Sequence, residues 1–137
     1  MARATHWLPA LALLFGSAAI ATEQPPLTDK PGNANRGRAV FLDRQRGHCL
    51  LCHQYSAVDE GFQGNIGPSL DGVGNQLSAA ALRYRLVDST RLNPQTVMPA
   101  YHRQGGFRDV APAFRNRPVL TAQEIEDLIA FLRAGGS

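Results

Sequence analysis

The stretch that decides the reading is Gly47-His48-Cys49-Leu50-Leu51-Cys52-His53. Two cysteines separated by two residues and followed at once by histidine form the attachment signature for c-type haem. The spacing has a physical basis: residues three apart lie on one helical face, so both thiols can reach the two vinyl groups of one porphyrin and form thioethers. His53, directly after the second thioether, is then held beneath the iron as the proximal ligand. Leu50 and Leu51 serve spacing and packing. Three other readings compete. A thioredoxin-like redox pair needs a βαβ setting, and none is visible. A tetrahedral zinc site needs a fourth ligand and usually a second cysteine pair, which a chain with two cysteines lacks. A structural disulfide across so tight a ring leaves His53 unexplained.

Once one face of the iron is assigned, the other needs a ligand. Met98 stands in an irregular loop before Pro99, where a gap-filling core methionine would more naturally fall on a helix face. A His/Met pair is a known haem arrangement that raises the potential. His102 is the alternative distal ligand, or else a surface loop histidine. His48 adjoins the proximal segment, on the wrong side to compete. A haem held on both axial sides has no open iron position for substrate, which favours electron transfer over oxygen or peroxide chemistry.

The chain has 137 residues, 44% hydrophobic but only 7% aromatic, with a single tryptophan. That is one domain at most, with a core short of large side chains that a buried porphyrin would help to fill. Residues 1–21 read as a secretory signal: Arg3, an apolar stretch over 7–15, then a small-residue run ending at Ala21. The apolar stretch is too short to span a bilayer. The mature protein is therefore expected to begin near Thr22 as a soluble export to the periplasm. Losing Arg3 takes the formal charge from +3 to +2. The remaining bases, interleaved with acids, argue against a dedicated nucleic-acid or membrane-surface binder.

Residues 22–33, rich in proline, read as an extended N-terminal segment, and 34–137 as one domain. The pattern turns helical over 34–46, with Gly37 and Phe41 on one face and Gly37 suited to close approach by another helix. Residues 54–77 form a long glycine-rich loop of the kind that wraps something. Ser78 caps a helix running to Asp88. Thr121-Ala122-Gln123-Glu124 is a capping box, followed by Ile125, Leu128, Ile129 and Leu132 at helical spacing and closed by Gly135-Gly136. The fold expected is all-α, with three to four helices. Arg83, Tyr84, Arg85 and Arg91 could meet haem propionates, though exposed helix charge explains them equally.

With these residues in place the chain resembles the class I c-type cytochromes: a first helix with Gly37-x-x-x-Phe41, the haem motif, Gly67-Pro68, Met98-Pro99 and a C-terminal amphipathic helix. The resemblance implies that the first and last helices cross closely around a covalently bound haem c. It also implies that the Pro68 carbonyl accepts a hydrogen bond from His53 and fixes its orientation. Within that superfamily the chain is most similar to the SoxX family, the monohaem subunits of the SoxAX complexes of bacterial thiosulfate oxidation. The matching runs are Gly64-Asn65-Ile66-Gly67-Pro68-Ser69-Leu70, Asn93-Pro94-Gln95-Thr96-Val97-Met98-Pro99-Ala100-Tyr101 and Leu120-Thr121-Ala122-Gln123-Glu124-Ile125-Glu126-Asp127.

That resemblance implies a heterodimer with a SoxA-like cytochrome, which carries the thiol chemistry on the carrier SoxYZ. This chain would then be the non-catalytic subunit of an L-cysteine S-thiosulfotransferase, passing electrons to a small cytochrome acceptor. The lack of a third cysteine agrees with a relay role. The segment 99–118, with Tyr101, Phe107, Val110 and Phe114, would either dock a partner or cover the haem. A free-standing monohaem carrier is the alternative, and a haem enzyme or gas sensor with a labile Met98 is a third reading.

Overall fold

Asn33 starts the first helix, α1 (Ala34–Leu42), by accepting the Arg36 N–H through its side chain at 3.0 Å. α2 (Val73–Gln76), α3 (Ala79–Asp88) and α4 (Ala122–Ala134) complete the helices of the computed structural model, which describes residues 24–135. The expected signal segment, 1–21, and its cleavage point lie outside the described residues. Among those residues there is no strand, and no helix is long and apolar enough to cross a membrane.

α1 stops at Leu42, four residues short of the helix expected over 34–46, and Asp43 is the reason. Its carboxylate accepts the Gln45 N–H at 2.9 Å and the Arg46 guanidinium at 2.8 Å, while its carbonyl accepts the His48 N–H at 2.8 Å. A side chain that captures the backbone this way competes with helix propagation. Residues 43–48 become a turn that swings the chain back toward α1, so close that a Cβ at Gly47 would overlap the Val40 carbonyl.

α4 is the axis of the fold. Thr121 and Glu124 form the reciprocal capping box, with Glu124 Oε2 accepting the Thr121 N–H at 2.9 Å. The buried stripe of Ile125, Leu128, Ile129 and Leu132 faces α1 and α3. α1 crosses α4 at Gly37, where a Cβ would overlap the Asp127 carbonyl and sit 2.8 Å from Phe131 Cβ. Beside this crossing Phe41, Tyr55 and Phe131 pack ring against ring at 5.3 to 5.6 Å between centroids.

Two buried carboxylates on α4 hold the approach to α1. Asp127 accepts the Asn33 N–H at 2.8 Å and N–H groups from two of the three Arg36 guanidinium nitrogens, Nε at 2.7 Å and Nη2 at 2.8 Å. Glu126 accepts the Leu27 N–H at 2.9 Å and a two-pronged pair from Arg83, each bond 2.7 Å. Arg83 also donates to the Gln24 carbonyl at 2.6 Å, so residues 24–33 run along the α3/α4 side of the molecule. This overturns both readings offered for Arg83: at 4% exposure it is neither a surface charge nor available to a propionate.

Burial alone would raise the pKa of Glu126 and Asp127, but the hydrogen bonds from Arg83 and Arg36 and from the Leu27 and Asn33 N–H groups outweigh it, and both fall below their ordinary values of 4.5 and 3.8. A folded pKa below the unfolded one gives stability that is complete above the unfolded value and lost as pH falls through the folded one. Acid titration of the holoprotein, followed by circular dichroism, should show flat stability from neutrality down to about pH 5. A steep loss should begin near pH 4 and steepen below it.

Candidate haem site

The turn made by residues 43–48 delivers the chain into the motif through His48, whose φ of 44° places it in the left-handed region. Cys49–Leu51 then form a single turn of 3-10 helix, with the Cys52 N–H donating to the Cys49 carbonyl at 3.2 Å and the His53 N–H to the same oxygen at 2.9 Å. One turn therefore carries both thiols and the imidazole. Neither cysteine is in a disulfide; Cys49 is buried and Cys52 half-buried. Burial pushes the Cys49 thiol up to about 12, so it is not a thiolate at neutral pH. The βαβ setting that a thioredoxin-like pair needs is also missing, since the described residues contain no strand. Among the described residues no cluster of His, Cys, Asp and Glu could enclose a metal ion by itself, which leaves the zinc reading without support.

His53 is held from one side by the loop that follows. The His53 Nδ1–H donates to the Pro68 carbonyl at 2.7 Å, which leaves Nε2 as the ring nitrogen available to a metal. Gly67 lies flat against the imidazole: a Cβ there would sit 2.7 Å from Nδ1 and 2.9 Å from Nε2. The loop is pinned by Gly67 N–H to the Cys52 carbonyl and Gly64 N–H to the Leu50 carbonyl, both 2.8 Å. Asp71 braces it further, taking the Ser56 N–H and hydroxyl at 2.8 Å and the Ser69 hydroxyl at 3.0 Å. The hydrogen bonds from Ser56, backbone first, and from Ser69 hold the Asp71 carboxyl below its ordinary range.

The segment carrying Met98 meets the motif through Tyr101. Its hydroxyl donates to the Gly47 carbonyl at 2.9 Å, its N–H to the Leu86 carbonyl at 3.1 Å, and its own carbonyl takes the Leu120 N–H at 2.8 Å. Burial, with the two cysteines close by, raises the pKa of the phenol. Met98 is half-buried against the core. His102 donates from Nδ1 to the Leu120 carbonyl at 2.8 Å. Tyr101 therefore belongs to the packing between loop and motif, at 7% exposure, and not to an exposed docking face. Phe114, 66% exposed, does lie on the surface, while Phe107 sits under the Arg103 guanidinium at 4.3 Å.

A tight turn bearing two free thiols, an imidazole with one nitrogen tied back, and a glycine surface where a side chain would collide with the ring together suit a covalently attached haem. The comparisons agree. The family model for cytochrome c matches residues 34–135. The chain belongs to the cytochrome c family. Membership implies a covalently bound haem c, whose attachment motif Cys49 and Cys52 fit, and the cytochrome is an electron-transfer protein with an all-α, class I architecture. Among solved structures the cytochrome is similar to a chain of the "Crystal structure of SoxXA from P. pantotrophus": 33% identity, covering 85% of this chain and 91% of that one, with a TM-score of 0.77. This likeness supports a SoxX-type cytochrome. No curated protein matches the chain significantly.

Sequence reasoning singled out Cys49, Cys52, His53, Pro68 and Met98 but missed the braces. Ser69-Leu70-Asp71 is a side-chain-to-backbone turn signature that could have pointed to Asp71. Nothing local marks Gly67 as the surface against His53. Gly67→Ala is expected to push the loop off the imidazole and lengthen the bond to Pro68. Because that bond raises the basicity of the ring, its weakening should raise the reduction potential, read by spectroelectrochemistry of the holoprotein.

Proposed function

We propose that this cytochrome is the electron-transfer subunit of a SoxAX-type complex in sulfur oxidation. In this reading residues 1–21 direct export to the periplasm, 22–33 form the extended lead and 34–137 the haem domain. His53 and Met98 bind the iron on its two faces, and Pro68 fixes the proximal imidazole. The observation that carries the reading is the likeness to a chain of SoxXA over 85% of this sequence. Haem c supplies a one-electron ferric/ferrous couple when bound. The protein's part is to hold two axial ligands in both oxidation states, so that little rearrangement accompanies each electron.

The partner proposed is a SoxA-like cytochrome, which works on the carrier SoxYZ and releases electrons to this subunit. A small cytochrome would take them onward. Co-expression of the tagged chain with its partner in a host that matures c-type cytochromes should give a heterodimer on size-exclusion chromatography, reduced when thiosulfate and the carrier SoxYZ are supplied together. A stable monomer that ignores the partner and serves another oxidase would favour the free-standing carrier.

A further inference from the structure

The Asn93-Pro94-Gln95-Thr96-Val97-Met98 run is a chain of side-chain-to-backbone turns. Asn93 Oδ1 accepts the Gln95 N–H at 3.0 Å, the Asn93 carbonyl accepts the Thr96 N–H at 3.0 Å, and Thr96 Oγ1 accepts the Met98 N–H at 3.1 Å. The other backbone group of Met98 is held from the opposite direction: the Ser89 hydroxyl donates to the Met98 carbonyl at 2.7 Å. Ser89 is buried, at 6% exposure, in a 3-10 turn after α3. That turn is anchored by the Asp88 carboxylate, which takes the Thr90 N–H at 3.1 Å and an Arg103 contact at 3.2 Å.

We propose that Ser89 and Thr96 are positioning residues that clamp the backbone of Met98 from both sides and so hold its thioether on the haem iron. The proposal rests on Met98 being the distal ligand. The Ser89 bond ties the loop to the turn after α3, and the Thr96 bond fixes the Met98 backbone within the loop, so each favours the closed loop over the open one. Neither hydroxyl touches the haem. Their effect reaches the iron through the position of Met98 alone.

An exogenous ligand that binds only where Met98 has left reports that open population directly. In ferric holoprotein titrated with imidazole, Ser89→Ala should raise the affinity about tenfold and Thr96→Ala about fivefold, the effect of losing one net hydrogen bond. Thr96→Ser, which keeps the hydroxyl, should return to within about twofold of the parent. Thr90→Ala, in the same turn but not bonded to Met98, should leave imidazole affinity unchanged whatever it does to the melting temperature. If Ser89→Ala and Thr96→Ala both bind imidazole like the parent while Met98→Ala binds it far more tightly, Met98 is the ligand and the clamp is wrong. An equal shift in Thr90→Ala also refutes the clamp, by pointing to general loosening. If Met98→Ala itself behaves like the parent, the ligand assignment fails first. Should Ser89→Ala not accumulate as holoprotein, the Thr96→Ala and Thr96→Ser pair decides.

Discussion

Gly37→Ala should be among the most damaging single methyl groups that can be added to this protein. The new Cβ would overlap the Asp127 carbonyl, a backbone atom in the middle of α4, and crowd Phe131 Cβ at 2.8 Å. Overpacking of a core ordinarily costs about 1–3 kcal/mol. Here neither flexible side chain nor solvent can absorb the insertion. α1 would have to move away from α4, opening the contacts among Phe41, Tyr55 and Phe131 and pulling Asn33 and Arg36 from Asp127. The upper end, about 3 kcal/mol, is therefore expected, which for a domain of this size lowers the melting temperature by roughly 10–20 °C. Gly61→Ala is the matched control, since nothing lies within 4 Å of a Cβ at that position. It should melt within a degree or two of the parent.

Arg83→Ala should cost about as much for the opposite reason, by leaving something unpaired. The two side chains are 5% and 8% exposed, and Arg83 satisfies both oxygens of Glu126. Removing one partner of a buried pair costs about 3–5 kcal/mol, because the remaining charge stays desolvated. The loss should depend on pH in a specific direction. With Arg83 present, the Glu126 carboxyl lies below its ordinary 4.5. Without it, the burial that opposes ionisation prevails and the folded pKa rises above the unfolded one, so the neutral acid is the form that folds best. The deficit should be largest near pH 7 and shrink as the solution is acidified through the raised pKa. Arg83→Met combined with Glu126→Gln should recover much of the stability, since exchanging a buried pair for groups of similar volume is often neutral. Denaturant unfolding of the parent and the two variants at pH 7 and pH 5 checks the order.

The contrast between these two sites shows what the sequence could reveal. Gly37 was legible because a glycine four residues from Phe41, within a helical pattern, has few explanations other than close approach. The C-terminal helix was legible from its capping box and its stripe, and the haem turn from its three chemical groups. Arg83 was opaque: its partner is 43 residues away, and a charged side chain on a short helix looks the same in sequence whether it meets water or a buried carboxylate. The early end of α1 was hidden because Asp43 acts through bonds to the residues after it, which helix periodicity does not register. Tyr101 was ambiguous in a similar way, since its place in a long irregular loop suited either docking or covering the haem, and its hydroxyl reaches back to the turn before Cys49.

The proposed function turns on a haem closed on both faces by His53 and Met98. The most direct test is the near-infrared and red absorption of the ferric holoprotein, where sulfur-to-iron charge transfer reports a methionine ligand. The native protein should show that band, with a low-spin spectrum that carbon monoxide barely alters after reduction. Met98→Ala should abolish it, and His102→Ala should leave it intact. A band that survives Met98→Ala, or a native spectrum that is high-spin or that changes with His102→Ala, would contradict the account.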